Sequence, residues 1–131
     1  MKVFLFIICI AAAAVAGCKK AEINATGLVG TWELRHYSGT IAGVNKDLPK
    51  GNGSLLKFSA DSTYEHYSNF KVDNNGHFKI VKNGIDWGND KLDAIYLGEN
   101  GDPNFFSIRA DSLTMGNTYA DGVTTVYVRI K

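Results

Sequence analysis

Leu28-Val29-Gly30-Thr31-Trp32-Glu33-Leu34-Arg35-His36-Tyr37-Ser38-Gly39, LVGTWELRHYSG, places a tryptophan two residues after a glycine at the head of an alternating run. A period of two marks a strand with one buried face. With Trp32 inward, the same parity carries Leu34 and His36 to its side.

Outward toward the C-terminus the pattern stays β, with no competing helical period. Runs rich in Tyr, Phe, Val, Ile and Thr, bounded by Gly, Asn and Asp, predict eight strands at about 29–38, 54–59, 62–70, 77–82, 91–98, 104–110, 112–119 and 123–130. Ala60-Asp61-Ser62, Ala110-Asp111-Ser112 and Ala120-Asp121-Gly122 read as turns, because an Asp side chain can bond a backbone N–H two residues on. Asn75-Gly76 and Asn83-Gly84 read as hairpin signals, since both residue types tolerate positive φ. The fold class that follows is all-β, an eight-stranded antiparallel up-and-down β-barrel, because closure leaves no exposed sheet edge. A two-sheet sandwich is the alternative. About fifteen residues between the first two strands, Gly39 to Gly53, read as a long loop.

Outward toward the N-terminus, Met1-Lys2 precedes an unbroken apolar run, Val3 to Val15. It is shorter than the about 20 residues of a membrane span and suits the apolar region of an export signal. It ends in Val15-Ala16-Gly17-Cys18, which resembles the lipobox of bacterial lipoproteins. The resemblance implies a cleaved signal peptide (1–17), fatty acylation such as palmitate at Cys18, and a membrane anchor in the cell envelope, with the outer membrane as the expected location. Residues 18–27 then form the lipidated cysteine and a tether. At about 3.3 Å per residue the tether reaches a few tens of ångströms, and residues 28–131 form the barrel domain.

Cys9 leaves with the signal and Cys18 carries lipid, so the mature domain relies on its core rather than on disulfides. Removing Lys2 leaves 13 basic against 13 acidic residues, a net charge of zero. No basic stripe is present, so a nucleic acid partner has no support.

Gly30-Thr31-Trp32 resembles the G-x-W signature on the first strand of lipocalins and their calycin relatives. In that family a basic residue near the end of the last strand lies across the indole and closes one end of the barrel. Arg129, in Val126-Tyr127-Val128-Arg129-Ile130, is the matching position. Together with LKFSADSTY (56–64) and DSLT (111–114), the pattern looks most like the small lipocalin-like domains of bacterial lipoproteins. The resemblance implies structural closure by Gly30, Trp32 and Arg129.

The other constellations give little chemistry. His36, His66 and His77 lie on three predicted strands without H-x-x-x-H spacing or cysteine partners, so no metal site is expected. Asp86, Asn89, Asp90 and Asp93 crowd around Trp87 but do not match a calcium loop. G-x-S-x-G is absent, no motif pairs a nucleophile with a base, and the chain reads as no enzyme, with no cofactor. Asp61-Ser62-Thr63 and Asp111-Ser112-Leu113 also resemble an O-glycosylation signal of exported bacterial proteins, although turn chemistry accounts for both.

The preferred function is binding of a small apolar or amphipathic ligand in the lumen. Leu34, His36, Tyr64, His66, Phe70, Phe78, Ile80 and Tyr96 are the candidate lining residues. The alternative is a non-catalytic lipoprotein whose barrel is filled by its own side chains and whose loops contact an envelope protein.

Overall fold

The computed structural model describes residues 27–131. The expected signal peptide, Cys18 and most of the expected tether lie outside the described residues. Nine strands follow in order: β1 (Gly30–Gly39), β2 (Val44–Asp47), β3 (Leu55–Phe58), β4 (Thr63–Ser68), β5 (Lys71–Trp87), β6 (Asp90–Leu97), β7 (Pro103–Arg109), β8 (Ser112–Gly116) and β9 (Thr124–Ile130). No helix of the described residues is long and apolar enough to cross a membrane.

Every pairing is antiparallel, and β9 returns to β1 from Thr31↔Ile130 to Ser38↔Thr124. The result is a closed eight-stranded up-and-down barrel, lipocalin-like in architecture, with β2 as an additional strand. Closure leaves no long sheet edge to template association.

The extra strand corrects the expected loop between residues 39 and 53. β1 is longer than its partner β3, which covers only residues 30–33, and β2 pairs with residues 36–39 on the same edge. Val44-Asn45-Lys46-Asp47 is short, polar and mostly exposed, so it gives almost no hydrophobic period. The following segment, 48–54, is fastened to the middle of β1. Leu48 N donates to Arg35 O at 2.8 Å, and Asn52 Nδ2 donates to Leu34 O at 2.8 Å. Beneath it Glu33 is buried, with one carboxylate oxygen accepting from Gly51 N at 2.8 Å and the other 3.2 Å from Arg35 Nε.

The two Asn-Gly signals are also corrected, because both fall inside β5. Gly76 stands opposite Tyr64, and a Cβ there would lie 3.3 Å from the Tyr64 ring. Asn83 occupies a bulge between Val81 and Ile85, with φ of 53°, and its N–H donates to Asp93 Oδ1 at 2.9 Å. Positive φ thus serves a bulge there. The β4–β5 turn is made instead by Asn69 and Phe70, with φ of 50° and 63°, as a two-residue hairpin of the primed type requires.

Alternating residues fill the interior. Trp32, Leu56, Phe58, Tyr64, Phe78, Ile95 and Leu113 form the buried cluster, with the Phe58 and Phe78 rings edge to face at 5.1 Å. The β3–β4, β5–β6 and β7–β8 turns lie at the end where the chain enters through Gly27. The β1–β2, β4–β5, β6–β7 and β8–β9 connections surround the other end.

Candidate functional site

The two ends of the barrel differ in chemistry. At the end where the chain enters, Trp32 is fully buried and its Nε1–H donates to Leu28 O at 2.8 Å. Arg129 is its cross-strand partner, with the guanidinium carbon 4.1 Å from the indole centroid. Arg129 Nη1 donates to Val29 O at 2.8 Å, and Nη2 donates to Gly27 O. Gly30 makes this possible. It has a φ of 142°, and a Cβ there would stand 2.5 Å from Arg129 Nη1. Glycine, tryptophan and arginine are therefore one packed unit in which each side chain, or its absence, sets the place of the next.

At the other end the interior is not filled. A cavity of about 230 Å³ opens there. Its apolar wall includes Leu56, Leu97, Met115 and Val123, with the Tyr127 ring also in the wall. His66, Asn104, Asn117 and Thr125 supply the polar groups. Burial raises the Tyr127 phenol above its ordinary value of 10.0, so it stays protonated at neutral pH.

Of the lining candidates, His66 reaches this cavity. Leu34 and Ile80 pack against the core, and Tyr64 and Phe78 are buried within it. Three lie elsewhere. The bulge in β1 falls between Leu34 and His36, so Leu34 shares the inner face with Tyr127, whereas His36 pairs with Val126 on the outer one. Phe70 sits in the β4–β5 turn and is 65% exposed. Tyr96 pairs with Lys79 and Pro103 on the face opposite Ile95, and Lys79 Nζ lies 5.7 Å from its ring centroid.

Most of the wall residues absent from the sequence reading come from β8, β9 and the connection between them. Parity could have found them. Once Arg129 is inward, Tyr127 and Thr125 follow at steps of two, and the register Met115↔Thr125 adds Met115.

His66 is held in a defined orientation. His66 pairs with Asn74 and Tyr67 with Val72, which leaves Asp73 as the extra residue of a bulge. Asp73 Oδ1 lies 2.5 Å from His66 Nδ1, and Asp73 Oδ2 accepts from Ser68 Oγ at 2.6 Å. The Ser68 hydroxyl first, then His66, hold the Asp73 carboxyl below its ordinary value of 3.8. An ionised carboxylate only accepts hydrogen bonds, so Nδ1 carries the proton of the neutral ring.

A second pair of this kind, His36 Nδ1 and Asp47 Oδ1 at 2.7 Å, lies on the outer wall. The acidic residues near Trp87 have local partners. Asp86 accepts from Lys91 Nζ at 2.6 Å, and Asp93 accepts from Asn83 N. Among the described residues no group of three His, Cys, Asp or Glu side chains is placed to hold a metal ion. Asp61 Oδ1 accepts from Thr63 N at 3.1 Å and from Thr63 Oγ1 at 2.5 Å, which accounts for the Asp-Ser-Thr triplet as turn chemistry.

No family model matches the chain, and comparison with curated proteins and with solved structures finds no match.

Proposed function

We propose that this chain is a lipid-anchored protein of the bacterial cell envelope whose barrel binds a small amphipathic molecule at its open end. The cavity carries the ligand part of the reading: mixed apolar and polar side chains from β3, β4, β6, β8 and β9 and the start of β7 converge on one opening. Ligand sites are commonly apolar concavities with a few placed polar groups. At about 230 Å³ the space is below the usual range of about 300–1,000 Å³. It suits a small molecule, or one end of a longer one, better than a whole acyl chain. The anchor part rests on Val15-Ala16-Gly17-Cys18 and its resemblance to a lipobox. To test the ligand reading, protein purified under native conditions is examined by mass spectrometry for a co-purifying small molecule. Saturable binding that Met115→Trp blocks supports the reading, and absence of both ligand and binding refutes it.

A second reading has its own observation. Ile41, Phe70 and Tyr119 are 88%, 65% and 62% exposed on the β1–β2, β4–β5 and β8–β9 connections, all at the open end. Large apolar side chains at a rim suit contact with a protein partner of the envelope. Cross-linking from position 41 that recovers one partner, and is lost in Ile41→Ser, would favour this reading.

A further inference from the structure

We propose that the open end selects a neutral amphipathic molecule bearing a hydroxyl donor, and that His66 Nε2, oriented by Asp73, accepts that hydrogen bond. The inference rests on the open end being a ligand site and adds the chemistry of the head-group contact.

The bulge supplies the device. An extra residue in a strand re-aims side chains, and here Asp73 reaches both the Ser68 hydroxyl and the His66 ring. Nδ1 is engaged, and Nε2 has no protein partner among the described residues. In the neutral ring with the proton on Nδ1, Nε2 is an acceptor. His66 is one of the residues lining the cavity, which brings its acceptor within reach of a ligand there.

Charge then narrows the ligand. With the imidazole neutral, the aspartate–histidine pair carries one negative charge, and the remaining polar wall groups, Asn104, Asn117 and Thr125, are neutral. A carboxylate or phosphate head meets repulsion in a half-enclosed space of lowered dielectric. An ammonium head must give up its hydration against a largely apolar wall. A hydroxyl satisfies Nε2 at neither cost. The volume equals roughly eight waters at about 30 Å³ each, so a body of six or seven carbon atoms fits.

The outer pair, His36 and Asp47, has the same ring-to-carboxylate contact, and neither residue lines this cavity. It is an internal control.

The experiment uses the mature chain, residues 18–131, carrying Cys18→Ser so that it stays unacylated. The probes are 1-hexanol, hexanoate and hexylammonium, titrated at pH 7 while the imidazole nitrogens and methionine methyls are followed by NMR. The free protein is expected to show the Nδ1–H tautomer at His66. Hexanol should move the His66 Nε2 and Met115 signals, leave His36 unmoved, and bind about tenfold tighter than either charged probe. His66→Phe, which keeps the ring surface, should weaken hexanol about tenfold, and His36→Phe should change nothing. Asp73→Ala, which frees the tautomer, should narrow the gap between hexanol and hexanoate to about threefold or less. If the probes shift Met115 equally well, or His66→Phe binds hexanol unchanged, the head-group contact is wrong while the ligand site stands. If no probe shifts any wall residue, both are wrong.

Discussion

Loss of the Trp32–Arg129 contact should be costly in a manner that neither residue alone explains. Trp32 is fully buried, and truncating a buried aromatic to alanine costs about 3–5 kcal/mol. Arg129→Met keeps much of the stem but removes the cation above the indole, worth about 0.5–2 kcal/mol. It also removes donors to the Val29 and Gly27 carbonyls, of which the more enclosed Val29 carbonyl stands to lose about 1 kcal/mol or more. The Arg129 change should therefore cost about 1.5–3 kcal/mol, less than the tryptophan change. In a double-mutant cycle the coupling should be about 0.5–2 kcal/mol. The assay is urea unfolding followed by far-UV circular dichroism, which does not depend on the tryptophan signal. Trp32→Phe replaces Trp32→Ala if the latter does not fold. Gly30→Ala extends the test, because its Cβ would meet Arg129 Nη1. It should cost more in the wild type than in the Arg129→Met background, where only the backbone strain at a φ of 142° remains. Additivity within about 0.5 kcal/mol throughout would refute the packed unit.

If Val15–Cys18 is a lipobox, wild-type protein should incorporate labelled palmitate and sediment with membranes. Cys18→Ala should be unlabelled, and a soluble, unacylated wild type would overturn the anchor. The two tryptophans should separate in quenching: Trp87, 52% exposed at the β5–β6 hairpin, should be quenched by acrylamide, and Trp32 should not. Measurement on Trp87→Phe isolates Trp32, and strong quenching there would contradict the burial. Asp73 has its folded pKa below the ordinary 3.8, so its interactions stabilise fully above that value and are lost as pH falls through the folded pKa. In acid titrations Asp73→Asn should lessen the fall in stability below about pH 4. An unchanged profile would remove the carboxylate from the account.

The barrel was legible because its strands keep a period of two and its turns use residues with a mechanism. Asp61 illustrates the point, since it caps its turn through Thr63. Arg129 was legible through the resemblance to the lipocalin pattern, and the regular ladder does set it opposite Trp32. The open end was not legible for the same reason inverted. A bulge shifts parity by one and leaves no trace in composition, so Leu34 and His36 separate to opposite faces at Arg35. β2 was invisible because Val44–Asp47 has three exposed residues out of four, and a strand without a buried face has no hydrophobic alternation. Of Asn75-Gly76 and Asn83-Gly84 only Asn83 adopts positive φ, and local propensity does not distinguish a turn from a bulge or a close approach. At Gly76 the surrounding ladder decided the outcome, since Tyr64 stands opposite it.

These irregularities are not spread evenly. The end where the chain enters follows local rules, with large apolar side chains in register and one arginine closing the stack. Two of the three bulges, at Arg35 and at Asp73, lie on strand pairs rising to the open end, and each stands beside a histidine bonded to an aspartate. The chemistry of the two pairs is the same; their surroundings are not. Asp47 is 92% exposed beside the outer wall, so the His36 pair contributes little beyond an exposed ion-pair contact. His66, by contrast, is one of the residues lining the cavity at the open end. Residue type therefore does not tell the two histidines apart. Their places in the ladder do, because the extra residue in β5 sets Asp73 against His66 Nδ1 beside the cavity, whereas the bulge at Arg35 turns His36 to the outer face.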